Sequence, residues 1–226
     1  MKLKITREEL ARRIDQTLLE PYTSKTEMEA FCNQARKYGF AGVAILPVHV
    51  PIARRVLDGS DVKVVAAIGF PLGSLPTELK VSEAEWCIEN GADELDMVMN
   101  IGALKTGDFD VVKRDIEEVV RVAKGRTVKV ILEVPLLTKD EVIKACNIAK
   151  EAGAHFVKTS TGFKGFKGWR PTTVEDVKLL RQAVGTSMKV KAAGGIRTTE
   201  QAIALIEAGA DRIGTSSGVE IVEGLK

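Results

Sequence analysis

Histidine is nearly missing from this chain. There are two, His49 and His155, and they form neither His-x-His nor His-x-x-x-His. A catalytic zinc usually takes three protein ligands, often histidines, so zinc chemistry is disfavoured. A carboxylate-held Mg²⁺ stays open, and the expectation is no metal and no cofactor. Cysteine is scarce too: Cys32, Cys87 and Cys146 are far apart, odd in number and without a Cys-x-x-Cys. That argues against a disulfide framework and for a reducing cytoplasm. The stretch from Met1 to Arg7 lacks the apolar core of a secretory leader. No run approaches ~18 apolar residues, so no membrane span is expected. An excess of one charge is also lacking. Lys+Arg 33 against Asp+Glu 31 leaves a formal net charge of +2, which points to neither a nucleic acid nor a membrane as partner. Neither a Gly-x-x-x-x-Gly-Lys-Ser/Thr loop nor a Gly-x-Gly-x-x-Gly turn occurs, so those two nucleotide cradles are excluded.

What is present is an ordinary globular composition, 45% hydrophobic and 28% charged over 226 residues. A weak repeat runs through it. Glu89-Asn90-Gly91-Ala92-Asp93, Glu151-Ala152-Gly153-Ala154-His155 and Glu207-Ala208-Gly209-Ala210-Asp211 share one pattern, and Tyr38-Gly39-Phe40-Ala41 is a looser copy. Each follows a helical pattern and precedes an apolar run, with glycine where a helix C-terminus wants a left-handed residue. The copies are spaced at about twice a βα unit of ~28 residues, so an unmarked unit should lie between them.

The apolar runs fill those gaps. Strands are expected near Ile14–Leu18, Ala41–Pro47, Val62–Phe70, Glu94–Asn100, Val128–Pro135, Phe156–Thr161, Lys189–Gly194 and Arg212–Thr215. They are nearly continuous rather than alternating, as in strands covered on both faces. Amphipathic helices are expected over Lys25–Tyr38, Pro51–Leu57, Thr77–Asn90, Phe109–Lys124, Lys139–Ala152, Thr173–Val184 and Thr198–Ala208, with a short last one from Val219. Thr138-Lys139-Asp140-Glu141 reads as a capping box. A short helix, Arg7–Arg13, precedes the first strand. The expected fold is an α/β, single-domain (β/α)8 TIM barrel. An open doubly wound sheet is the runner-up, but its usual Gly-rich first turn is not found in Ile14–Glu20.

Gly214-Thr215-Ser216-Ser217-Gly218 matches the nucleophile-elbow pattern, but that triad places its histidine after the serine, and none follows His155. A barrel gives the segment a better use. Loops after strands 7 and 8 often bind phosphate through backbone N–H groups. Gly194-Gly195 and Ser216-Ser217 suit that task, against the plainer reading of two tight turns.

Asp96, Glu133, Lys158 and Lys191 sit inside expected strands. A charge there is costly unless paired. A lone strand lysine is ordinarily a strand-end charge reaching solvent, as Lys63, Lys129 and Lys189 are read here. Four central charges on strands 4 to 7, two of each sign, instead suggest one cluster inside the barrel. Two neighbouring lysines lower each other's pKa by like-charge repulsion, and burial lowers it further. A neutral amine can attack a carbonyl and form a Schiff base, while a carboxylate such as Asp96 relays the proton. With phosphate loops alongside, a sugar phosphate is the expected substrate class. His155 is read as a satisfied boundary residue.

Phe163-Lys164-Gly165-Phe166-Lys167-Gly168-Trp169-Arg170 places an aromatic every third residue beside a cation. Such interleaving resembles a single-strand nucleic-acid platform. One short loop on a nearly neutral chain is a small footprint for that, and a basic lid gripping a phosphate or packing on a subunit is preferred.

Val157-Lys158-Thr159-Ser160-Thr161-Gly162-Phe163 and Val190-Lys191-Ala192-Ala193-Gly194-Gly195-Ile196-Arg197 resemble the two lysine motifs of the deoxyribose-phosphate aldolases. So do Ile14-Asp15-Gln16-Thr17-Leu18-Leu19, Ile68-Gly69-Phe70-Pro71-Leu72-Gly73, Glu94-Leu95-Asp96-Met97-Val98-Met99-Asn100 and Gly214-Thr215-Ser216-Ser217-Gly218. The resemblance spans nearly the whole chain. It implies a class I aldolase on a (β/α)8 barrel that reversibly cleaves 2-deoxy-D-ribose 5-phosphate into acetaldehyde and D-glyceraldehyde 3-phosphate. By motif position, Lys158 would carry the Schiff base, Lys191 would perturb it, Asp96 would be the acid/base carboxylate and Asp15 would bond to their network. Thr17, Thr161, Gly162, Gly194, Gly195, Ser216 and Ser217 would surround the substrate and its phosphate. It also implies a homodimer or homotetramer. The chain departs from the family pattern at Gln16 (usually histidine), at Ala44-Ile45-Leu46-Pro47 (often Cys-Val-Asn-Pro) and at Glu133-Val134-Pro135 (usually Glu-Thr-Cys). The rivals are another phosphosugar enzyme of isomerase or epimerase type on the same barrel, and a non-catalytic nucleic-acid or phospholigand binder.

Overall fold

The computed structural model describes residues 4–225; Met1, Lys2 and Leu3 of the leader reading above lie outside the described residues. A short helix, α1 (Arg7–Ala11), leads into β1 (Ile14–Leu18), α2 (Lys25–Tyr38), β2 (Gly42–Ile45), α3 (Val50–Val56) and β3 (Lys63–Ile68). Then come α4 (Thr77–Glu89), β4 (Glu94–Val98), α5 (Ile101–Thr106), α6 (Phe109–Val122), β5 (Thr127–Ile131) and α7 (Lys139–Glu151). The chain ends with β6 (Phe156–Lys158), α8 (Val174–Val184), β7 (Lys189–Ala193), α9 (Thr199–Glu207), β8 (Arg212–Thr215) and α10 (Gly218–Glu223). The strands are parallel and close in sequence order, with β1 paired to both β2 and β8. This is the expected TIM barrel, and the open sheet is set aside.

Local chemistry accounts for the elements. Ser24, Thr138, Thr173 and Thr198 each open a helix with a capping box, satisfying backbone N–H groups that the first turn leaves unpaired. The repeat glycines Gly39, Gly91, Gly153 and Gly209 all have positive φ and turn each helix back toward the next strand. One helix, α5, escapes the sequence reading. Asn100 caps its start and Gly107 its end, but six residues are too few to show a period.

Strand parity divides the core. Outward residues such as Val43, Val64, Leu95, Val130 and Ile213 join the apolar layer under the helices. Inward positions include the small and charged residues Asp15, Gly42, Asp96, Lys129, Lys158 and Lys191. Lys63 and Lys189 are exposed at their strand starts, as read. Cys32, Cys87 and Cys146 are free and buried in helices, where burial pushes each thiol up to about 12. Among the described residues no helix is long and apolar enough to cross a membrane.

Candidate active site

Inside the barrel the charges form one connected chain. Lys158 and Lys191 are register neighbours on β6 and β7. Both amines lie 2.7 Å from the same oxygen, Asp96 Oδ2. Lys191 Nζ also donates to Asp15 Oδ2 at 2.5 Å, and Arg212 Nη1 donates to Asp15 Oδ1 at 2.6 Å. Glycine makes room on β8: a Cβ on Gly214 would lie 3.0 Å from the Lys191 stem. Asp15, Asp96, Lys158 and Lys191 are thus brought together, at 4% exposure or less.

Two predictions about charge placement need correction. Lys129 is not a strand-end charge in solvent. It is wholly buried, with Nζ 3.0 Å from Asp96 Oδ1 and 2.5 Å from Glu94 Oε2. Glu133 does not join the lysines. It follows β5 in a left-handed conformation, and its Oε2 accepts the Thr161 N–H at 2.9 Å. Burial raises its pKa, and among the described residues Oε1 has no hydrogen-bond partner. Lys129, Arg212 and Glu94 are the charged members of this cluster that sequence reasoning missed. The signal for Lys129 was available, because it stands opposite Asp96 in the β4–β5 register.

The electrostatics single out one amine. Lys129, Lys191 and Arg212 match the three carboxylates Glu94, Asp96 and Asp15. Lys158 is the base left over. Burial is the largest cause that pushes its pKa down; the charges of Lys191 and Lys129 add to this and Asp96 opposes it, giving about 8. Like-charge repulsion therefore contributes less than desolvation. Burial alone would raise Asp96 and Asp15. The cations around them win and hold both below the usual carboxylate range. Burial also works against the Lys129 ammonium, but Asp96, Asp15 and Glu94 outweigh it and raise its pKa.

The expected phosphate residues cluster at the carboxyl ends of β6, β7 and β8. A Cβ on Gly162 would stand 3.7 Å from Gly194 Cα, and one on Gly195 would strike Pro171 at 2.8 Å. These loops therefore approach each other by backbone alone. Thr159 Oγ1 donates to the Ala193 carbonyl at 2.9 Å and accepts its N–H at 2.9 Å, stitching β6 to β7. Thr161 is buried and its Oγ1 accepts the Phe163 N–H at 3.0 Å. Thr17 has inward parity with Asp15 and is half-buried. Ser216 is exposed and Ser217 half-buried on the last loop. Not every backbone donor there is available, because the Ser217 N–H is bound to Thr215 Oγ1 at 2.9 Å. His155 Nδ1 accepts the Val128 N–H at 3.1 Å, a boundary role as read. Among the described residues no group of three or more His, Cys, Asp or Glu is placed to hold a metal ion.

In the basic loop the aromatics turn on one another. Phe163 and Phe166 meet edge-to-face, and Lys164 Nζ sits 5.8 Å from the Trp169 ring. Arg170 is engaged in a two-pronged pair with Asp176 at 2.6 and 2.8 Å.

Comparison with known proteins agrees with this geometry. The family model described as "DeoC/LacD family aldolase" matches residues 10–224. The deoxyribose-phosphate aldolase of Thermococcus gammatolerans is 60% identical over 222 residues, covering 96% of this chain and 97% of that protein. The enzyme of the same name from Thermococcus kodakarensis is 58% identical over 224 residues, covering 97% and 98%. Among solved structures, a deoxyribose phosphate aldolase from Aeropyrum pernix, described as tetrameric, superposes with a TM-score of 0.89 at 37% identity, covering 96% of this chain and 91% of that one. The chain belongs to the DeoC/LacD family of aldolases.

Proposed function

We propose that this chain is a single-domain class I aldolase that reversibly cleaves 2-deoxy-D-ribose 5-phosphate into acetaldehyde and D-glyceraldehyde 3-phosphate. One observation carries the reading: Lys158, at the carboxyl end of β6, is a buried amine with a pKa near 8 that shares Asp96 Oδ2 with a second lysine. TIM barrels place their chemistry at that end, and a lysine depressed this far supplies neutral amine near physiological pH.

Lys158 Nζ adds to the C1 aldehyde of the open-chain sugar, and the carbinolamine loses water to give an iminium. A base removes the C3 hydroxyl proton and the C2–C3 bond breaks. Its electron pair flows toward nitrogen to give an enamine, and D-glyceraldehyde 3-phosphate departs. The enamine takes a proton at C2, water adds to the renewed iminium, and acetaldehyde leaves the free amine. Asp96 and Lys191, 2.7 Å apart, form the relay for these protons. Asp15 fixes Lys191 from its other side. The phosphate end of the substrate meets Thr17, Thr161, Gly162, Gly194, Gly195, Ser216 and Ser217.

Incubation with 2-deoxyribose 5-phosphate followed by borohydride tests the reading. A permanent mass increase on the Lys158 peptide is expected. An active protein that stays unlabelled would overturn it in favour of an isomerase without a covalent intermediate. A homodimer or homotetramer in the cytoplasm belongs to the same proposal; the Aeropyrum pernix relative, described as tetrameric, supports a homo-oligomer.

A further inference from the structure

Gln16 lies on β1 between Asp15 and Thr17, so strand alternation turns its side chain away from them. It is 3% exposed. Its amide spans the loop after β8. Nε2 donates to the Ser216 carbonyl at 3.2 Å, and Oε1 accepts the Gly218 N–H at 2.9 Å. The fit is close, since a Cβ on Gly218 would stand 2.3 Å from Oε1. Only glycine leaves the helix start seated on this amide.

A second clamp holds the same loop from its other side. Thr215 Oγ1 accepts the Ser217 N–H at 2.9 Å and donates to the Ile196 carbonyl at 2.6 Å. The hydroxyl thereby ties the segment after β8 to the segment after β7, the two loops assigned to the phosphate. Together Gln16 and Thr215 use up the N–H groups of Gly218 and Ser217. The hydroxyls of Ser216 and Ser217 are then the side-chain donors that this loop can offer an anion.

We propose that Gln16 is a positioning residue for the substrate phosphate. From the outer face of β1 it fixes Ser216–Gly218 and takes up the Gly218 N–H, so that the Ser216 and Ser217 hydroxyls are held in place to meet the anion. Thr215 is its counterpart on the side of the β7 loop. The inference rests on the phosphate assignment above. Gln16 touches neither the lysines nor the reacting carbons, so it governs capture of the phosphate and leaves the chemical step alone.

The test uses the full chain and two sugars, 2-deoxyribose 5-phosphate and unphosphorylated 2-deoxyribose, with inorganic phosphate as competitor. Gln16→Met keeps the length and loses both hydrogen bonds. It should raise KM for the phosphorylated sugar, and the inhibition constant of inorganic phosphate, by about tenfold, the scale of two lost hydrogen bonds. Saturated kcat, and kcat/KM on the unphosphorylated sugar, should stay within about twofold. Equal losses on both sugars, or an unchanged KM, would overturn the proposal. Thr215→Val cuts the other clamp, should move the same constants the same way, and carries the test should Gln16→Met not fold. If the unaltered protein itself shows no preference for the phosphorylated sugar, the phosphate assignment falls, a result distinct from failure of Gln16 alone.

Discussion

Lys129 holds Oδ1 of Asp96 at 3.0 Å from inside the barrel wall, leaving Oδ2 as the oxygen that both Lys158 and Lys191 share. The carboxylate is thus divided between a structural cation and two amines. Contacts at both oxygens restrain the carboxylate's rotation and keep Oδ2 between the two amines. Lys129 itself is fully buried and reaches Glu94 at 2.5 Å on its far side. It is the fixed counter-charge that stands between Glu94 and Asp96; without it Glu94 loses its ion pair and Asp96 Oδ1 its partner, while Asp96 Oδ2 keeps the two amines.

Lys129→Met should therefore be costly to stability. Removing one partner of a buried pair leaves the others desolvated and unmatched, a loss of about 3–5 kcal/mol. Urea denaturation at pH 7 measures it. Adding Glu94→Gln to the variant removes one stranded charge and should restore part of the loss. A change below about 1 kcal/mol in the single variant, the scale of an exposed pair, would contradict the role given to Lys129.

Asp96 and Lys191 act on Lys158 with opposite sign, and their variants should separate along the pH axis. Lys158 attacks only when unprotonated, so kcat/KM should rise with pH through its pKa of about 8. Asp96 opposes the depression; Asp96→Asn removes that opposition and should move the acid limb to lower pH. Lys191 adds to the depression; Lys191→Leu should move the limb to higher pH. Both should lower kcat by roughly 10²–10⁴ through loss of proton transfer. Limbs that shift in the same direction would refute the electrostatic account.

How much of this was legible in the sequence depends on the kind of interaction. The barrel was legible because Gly91, Gly153 and Gly209 mark helix ends at regular spacing and the strands between them are continuously apolar. Lys158, Lys191 and Asp96 stood out because charge inside such a run is expensive. Lys129 was overlooked because it sits near a strand start, as Lys63 and Lys189 do. Burial there depends on strand tilt and register, which put Lys129 opposite Asp96 while Lys189 reaches solvent. Glu133 erred the other way: the apolar run suggested a longer strand, but β5 ends at Ile131 and the backbone turns left-handed at Glu133. The clamp of Gln16 on Ser216 and Gly218 joins residues about two hundred positions apart, and nothing local announces it.

Lys158→Arg is the sharpest test of covalent chemistry. A guanidinium stays protonated at any usable pH and cannot add to a carbonyl. Turnover should fall on the order of a thousandfold or more, the scale of losing a covalent nucleophile. The borohydride-stable adduct should disappear with it. Wild-type rates in this variant, read by acetaldehyde release, would remove Lys158 from the mechanism.

Lys158 should also be a burden on the fold, and that burden has a definite pH dependence. Its native pKa of about 8 lies below the ordinary 10.5. Below pH 8 the unfolded chain binds the proton more tightly, so this residue favours unfolding. The penalty fades as pH rises from about 8 to 10.5 and is gone above it. Lys158→Met removes the group while Lys129 and Lys191 still hold both oxygens of Asp96. At pH 7 the variant should be the more stable protein, by on the order of 3 kcal/mol. At pH 10 most of that advantage should be lost, because the native amine is already neutral and the unfolded lysine is close to its own pKa of 10.5. Paired urea titrations at the two pH values isolate the effect, since all other titrating groups are common to both proteins. An advantage that persists unchanged at pH 10, or a variant less stable at pH 7, would mean that the amine is not depressed in the native state.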